Sequence, residues 1–344
     1  MAERILSRRG LNRALLARQG LIERFAASPA RAARRVGGIQ AQYAPSIYIG
    51  LWSRCRGLER AAVTRALDRR RLVQATLLRA TIHAVAAEDY WPFAIASRER
   101  GRALFLRTRR SLTGDDMRAA AELLRPRLAE GPVTRRGMEE LLGRERAAGV
   151  GFWVDLVRVP PSGTWERRRA DRYGDARAWV GPEPAMTPEQ ATAHVARRRL
   201  AAFGPATAAE VADWAGLPVG PVAAALAGMD LRRLRDEDGR ELLDDPRAPL
   251  PDPQTPAPPR FLPTWDAVLL VHARRAGILR EEDRPRIFST RTPHSFPTFV
   301  VDGTVAGTWR TAGGRVVLDP WRRLAAAEQR ALEDEGERLA LLVA

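Results

Sequence analysis

The chain has 344 residues, enough for two or three packed units rather than one small core. Its 57 basic residues, all arginine, outnumber 41 acidic ones and leave a formal charge of +16, a field that favours a nucleic acid over an acidic protein or membrane surface as partner. One cysteine (Cys55) and four scattered histidines (His83, His194, His272, His294) exclude an intrachain disulfide and the usual zinc spacings, so neither a metal nor a cofactor is expected.

The first nine residues carry no apolar signal segment, and runs such as 267–271 are far too short to span a bilayer. The expected location is cytoplasmic and nucleoid-associated, with no membrane partner. No P-loop, dinucleotide fingerprint or Gly-x-Ser-x-Gly occurs, so nucleotide hydrolysis, redox and α/β-hydrolase chemistry lack support.

In chain order, apolar residues at helical spacing predict helices over 8–27, 29–39 and 58–67, with a bend at Gly37-Gly38. Residues 72–85 read as a helix end followed by a strand. A helix over 115–130 and another over 135–142, capped by Thr134, open a second unit. Its hairpin is expected to have arms at 164–169 and 176–180. The third unit is the clearest: a helix to Phe203, a helix capped by Thr207, a turn at Gly216-Leu217-Pro218, a helix over 220–229 and a hairpin around Gly239. Helix, turn, helix, hairpin is the winged helix-turn-helix order. Residues 246–263 form a proline-rich connector. Strands are then expected over 267–272, 296–301, 304–309 and 315–318, with Asp302-Gly303 as a hairpin turn and a closing helix over 320–342. The fold class is α+β, mainly α: winged units over 1–110, 111–185 and 186–245, followed by a β-rich region with a C-terminal helix over 246–344.

Four stretches carry a resemblance. They are Gly38-Ile39-Gln40-Ala41-Gln42 with Gly50-Leu51-Trp52; the run from Leu78 to Val85; Phe203 to Thr207 with Asp213 to Pro218; and Phe261 to Asp266 with His272 and Val301 to Arg310. In this order they resemble a winged-helix family that contains the AlkZ-like DNA glycosylases, and they cover most of the chain. The resemblance implies tandem winged helices around a duplex-binding concavity and a small β-rich C-terminal domain. It further implies a catalytic Gln-x-Gln triplet at Gln40 and Gln42, where a related branch has Gln-x-Asp. Gln42 therefore sits nearer the type that unhooks interstrand crosslinks.

Glutamine is a poor general base. An N7-alkylated purine already carries positive charge and leaves readily, so two amides need only hold a water beneath C1′. The expected function is a monofunctional glycosylase acting as a monomer on duplex DNA with cationic N-alkylated purines. Because the chain contains no lysine, its α-amino group (Met1, or Ala2 after processing) is the only primary amine, and water is the expected nucleophile. Two alternatives stay open. Gln40 and Gln42 could simply satisfy backbone groups of the turn, and the protein could be a non-catalytic winged-helix regulator.

Arg79, Thr81 and His83 alternate and would share one face of a strand, positioned to touch phosphates or the lesion; His83 could equally be a hydrogen-bonded core residue. Arg274 and Arg275 are further phosphate-contact candidates. The clusters Arg197-Arg198-Arg199 and Arg274-Arg275 both read as solvated faces, with phosphate contact as the alternative for each, and Trp309-Arg310 as core plus rim.

Overall fold

Polar side chains that take up free backbone N–H groups set about half of the helix starts among the described residues. In the computed structural model, which describes residues 5–270, 277–289 and 294–344, Ser7 caps α1 (Arg8–Arg18) and Ser28 caps α2 (Pro29–Arg35). α1 is shorter than the apolar pattern over 8–27 suggested. Gly20 takes a left-handed turn (φ +67°) so close to the Phe25 ring that an added Cβ would lie 2.8 Å from it. Likewise α2 stops before Gly37 (φ +76°) and Gly38 (φ +90°), which turn the chain into strand β2 (Ile39–Gln40). Helices α3 (Pro45–Arg54) and α4 (Arg60–Asp68) follow. The two-residue strand β1 (Ile5–Leu6) precedes α1.

Residues 72–86 form no helix end. They are an antiparallel hairpin of β3 (Leu72–Thr76) and β4 (Ile82–Ala86). Both faces of β3 are buried, which removes the polar–apolar alternation that marks a half-exposed strand. The hairpin lies in a six-stranded sheet of order β2-β4-β3-β6-β7-β5, where β5 is Val133–Thr134, β6 Leu156–Arg158 and β7 Arg172–Asp175. The expected arms at 164–169 and 176–180 do not pair. β6 and β7 pair instead, and Ala176–Val180 is a helical turn (α9) because the Asp175 carboxylate accepts from the Arg177 N–H.

Helices α5 (Ala87–Thr108), α6 (Gly114–Glu130), α7 (Arg135–Leu142) and α8 (Arg144–Gly149) lie between the strands of this sheet in sequence. Phe105, Met117, Leu124, Met138 and Trp153 form their shared core. Thr113 and Asp116 close a capping box on α6, and Thr134 caps α7 as expected.

Next come α10 (Pro188–Phe203), α11 (Ala208–Ala215) and α12 (Val219–Ala227). Thr187 with Gln190 and Thr207 with Glu210 form capping boxes, and Gly216 ends α11 in the left-handed region. The hairpin of β8 (Arg232–Asp236) and β9 (Glu241–Asp244) follows, and β1 adds to it in parallel. Tyr90, Phe93, Val195, Phe203 and Trp214 join α5, α10 and α11 in one core. A fully buried ion pair, Arg18 Nη1 to Asp244 Oδ1 at 2.6 Å, ties α1 to this hairpin.

The connector leads into β10 (Arg260–Leu262). Ala267–Leu270, expected as a strand, is a helical turn, since Asp266 accepts the Val268 N–H at 3.1 Å while pairing with buried Arg54. β11 (Phe288–Ser289) pairs with β12 (His294–Ser295). β10 heads a sheet with β13 (Thr298–Val301), β14 (Thr304–Ala312) and β15 (Arg315–Pro320), and Asp302-Gly303 makes the β13–β14 turn with positive φ at both residues. The C-terminal helix, Ala326–Val343, begins later than expected and packs Leu332 and Leu339 with Phe261 and Trp309. The fold is a mixture of α and β, about half helical. No helix among the described residues is long and apolar enough to cross a membrane.

Candidate active site

Gln40 lies in β2, the edge strand of the six-stranded sheet, opposite His83 in β4. Just beyond it the Ala41 N–H donates to the Ile82 carbonyl at 2.7 Å, and the chain then bends towards α3. Gln40 is buried; Gln42 is exposed. The Gln42 Oε1 faces the Ile82 N–H at 3.4 Å, a long and weak contact that leaves most of the amide free.

Arg79 sits at the hairpin tip in a left-handed conformation (φ 54°), with Ala80 beside it at φ 56°. Non-glycine residues hold that geometry only when the surroundings over-determine it. Here they do: the Arg79 guanidinium donates to the Trp214 carbonyl and, at 3.5 Å, to Gln40 Oε1. An added Cβ on Gly216 would lie 2.9 Å from Arg79 Cγ, so glycine is needed where α11 ends. Arg79, Thr81 and His83 therefore do not share a strand face. Arg79 and Thr81 belong to the turn, where the Thr81 hydroxyl donates to the Leu78 carbonyl at 3.1 Å, and of the three only His83 lies in β4. The Arg79 side chain joins the hairpin tip to α11 and lies beside Gln40.

The His83 Nδ1 lies 3.1 Å from the Thr81 carbonyl. Burial first, and the neighbouring charge of Arg79 second, push its pKa down to about 3, against the opposing effect of the Thr81 bond. A neutral imidazole in this place adds no charge to the site and donates no proton near pH 7.

Below Gln42 the sheet and helices enclose a cavity of about 460 Å³ whose walls include Thr76, Ile82, Phe152, Arg158 and Tyr173. On the other side of the hairpin tip, Arg79, Asp213 and Gly216 border a second hollow of about 400 Å³. The two share Ala80, Gly101 and Leu104. Beyond Gln42, the exposed Tyr43 meets Arg168, whose guanidinium donates to the tyrosine hydroxyl at 2.9 Å and lies 5.7 Å from the Trp165 ring. Sequence reasoning did not single out Tyr43, Arg158 or Arg168. The signal for Arg158 was available: it is a lone cation inside the apolar run 152–159.

Gln40, Gln42, Arg79, Thr81 and His83 are thus brought together around one edge strand and one hairpin tip. Arg274, Arg275 and His272 lie outside the described residues. Of the 197–199 cluster only Arg197 is exposed: Arg199 is fully buried against Phe203, and Arg198 binds the buried Asp89 at 2.9 Å, with His194 at 2.8 Å from the same oxygen. Trp309 is core, donating to the Leu262 carbonyl at 3.1 Å, and Arg310 is exposed at the rim.

A family model described as "DNA glycosylase AlkZ-like" matches residues 33–342, which include every part of this arrangement. Among solved structures the chain is similar to the Streptomyces sahachiroi DNA glycosylase AlkZ, with a TM-score of 0.83 and 20% identity over 98% of this chain and 97% of that one. At that identity the likeness speaks for the fold. None of the curated proteins matches the chain.

Proposed function

The chain belongs to the AlkZ-like DNA glycosylase family, enzymes that hydrolyse N-glycosyl bonds in DNA, and from that premise we propose that it excises cationic N-alkylated purines from duplex DNA by attack of a water held between Gln40 and Gln42. One observation carries this reading. Among the described residues no carboxylate lines the cavity at Gln42, so no acid is placed there to stabilise a sugar cation or deprotonate a strong nucleophile. A neutral base leaves too poorly for such a site, whereas an N7-alkylated purine leaves as a neutral group.

The Arg79 guanidinium faces Gln40 Oε1 at a long 3.5 Å, which favours the rotamer whose amide NH₂ points away from it. Gln42, exposed at the rim, presents its amide to a sugar at the cleft mouth. An amide at the rim reaches a nucleotide that is only partly displaced, which suits a crosslinked base that cannot be fully extruded. We further read helices α10 to α12 with hairpin β8–β9 as a winged helix, one of three such units that would cradle the duplex as a monomer. The +16 charge supports sequence-independent duplex binding.

Product analysis tests the identity of the nucleophile. The chain has no lysine. Duplex carrying 7-methylguanine should yield an intact abasic strand that breaks only after alkali. Borohydride present during turnover should trap no protein–DNA adduct. A trapped adduct would replace water by an amine and remove the proposed role of the two glutamines.

A further inference from the structure

Several buried arginines of this fold are tied to carboxylates. Arg18 pairs with Asp244, Arg54 with Asp266, and Arg13 with Asp302. Arg158 in β6 is different. It is 9% exposed, and among the described residues no carboxylate pairs with it. Its Nε has no hydrogen-bond partner there, its Nη1 reaches the Thr76 hydroxyl at a long 3.4 Å, and its other polar neighbour is the Tyr173 hydroxyl, which is neutral as well. The guanidinium lies 5.4 Å from the Tyr173 ring centroid, a neighbour that attracts a cation without neutralising it. Arginine does not shed its proton in proteins, so this is a standing buried charge, a costly arrangement unless a ligand completes it.

The side chain is placed to meet one, because it lines the cavity that has Gln42 at its mouth. On the same wall stands a second guanidinium, Arg135, paired with Glu139 at 2.7 Å. Thr76 and Tyr173 supply hydroxyls. A site with an unneutralised guanidinium and no lining carboxylate repels a cationic base and attracts an anion with two acceptor oxygens.

We infer that the cavity beneath Gln42 is a phosphodiester site, in which Arg158 grips a backbone phosphate next to the damaged nucleotide and so sets the sugar against the Gln40–Gln42 edge. This rests on the glycosylase reading of the glutamines. It divides the labour of the site: the cavity holds the backbone, and the cationic purine stays outside it, at the rim.

A methylphosphonate scan tests it. Duplexes each carry one 7-methylguanine and one neutral methylphosphonate, placed in turn at the phosphates flanking the lesion. For the wild-type enzyme one position should lower kcat/KM by about tenfold to a hundredfold, the loss of a charge-assisted hydrogen-bonded contact. Arg158→Met, which fills the space without the charge, should be slower on unmodified DNA and insensitive to that same position within about threefold. Its binding to undamaged duplex should also lose about one unit of salt slope. A flat scan with wild-type enzyme would overturn the site without any variant. So would an Arg158→Met protein that keeps the wild-type salt slope, whether or not excision is seen. Absence of base release from the unmodified damaged duplex would instead count against the glycosylase reading.

Discussion

Replacing Gln42 by alanine should slow excision of 7-methylguanine from duplex DNA by about tenfold to a thousandfold while leaving duplex affinity within about twofold. The amide is exposed, and its one side-chain hydrogen bond among the described residues, from the Ile82 N–H at 3.4 Å, is too long to hold the hairpin. Its loss should therefore appear in the chemical step and hardly in folding. Gln40→Ala should show a loss of the same order for a related reason, since it removes the second amide of the pair. Arg79 remains tethered through the Trp214 carbonyl in that variant, so the hairpin tip should keep its place. Because the two amides hold one water, the double variant should be little slower than the worse single one. Single-turnover kinetics beside a binding titration separate the two steps. If both single variants unfolded or lost DNA affinity together, the glutamines would be supports of the turn and the chemistry would lie elsewhere.

The largest expected effect on stability is at Asp244. Its carboxylate is fully buried and receives Arg18 through two hydrogen bonds, at 2.6 and 3.1 Å, as well as Arg232. Arg18 also donates to the Leu200 and Pro249 carbonyls, so this one cluster joins α1, α10, β9 and the proline-rich connector. Asp244→Ala would leave two guanidiniums without their counter-charge, one of them fully buried, at a cost of about 3–5 kcal/mol. A chemical or thermal unfolding curve should show that loss at neutral pH. A change below about 1 kcal/mol would mean that water or another carboxylate takes over the pair.

How much of this was legible in the sequence depended on whether the determining contacts are local. The third helical unit was readable because its signals are: Thr187 and Thr207 each find their capping partner three residues on, and Gly216 supplies the left-handed stop. The Asp302-Gly303 hairpin was readable for the same reason. The 72–86 hairpin was not, since its strands are covered on both faces and show no alternation. Residues 267–270 form a turn of helix because Asp266 caps them, a role shared with a pairing to Arg54 more than two hundred residues away. Gln40 and Gln42 came into view through a family resemblance, because nothing in their spacing sets them apart from turn glutamines. Arg79 was visible as a residue but not as a left-handed turn residue buried against α11. Its conformation is dictated by Gly216 and the Trp214 carbonyl, which only the fold brings near.

The decisive property of the enzyme is which glycosidic bond it breaks. Two duplexes of identical sequence, one with a single 7-methylguanine and one with guanine at that position, are incubated with excess enzyme, and free base is measured over time. Time-dependent release of 7-methylguanine and none of guanine is expected, since only the cationic base leaves without the help of a carboxylate. Equal release of both bases, or release of neither while both duplexes are bound, would contradict that expectation.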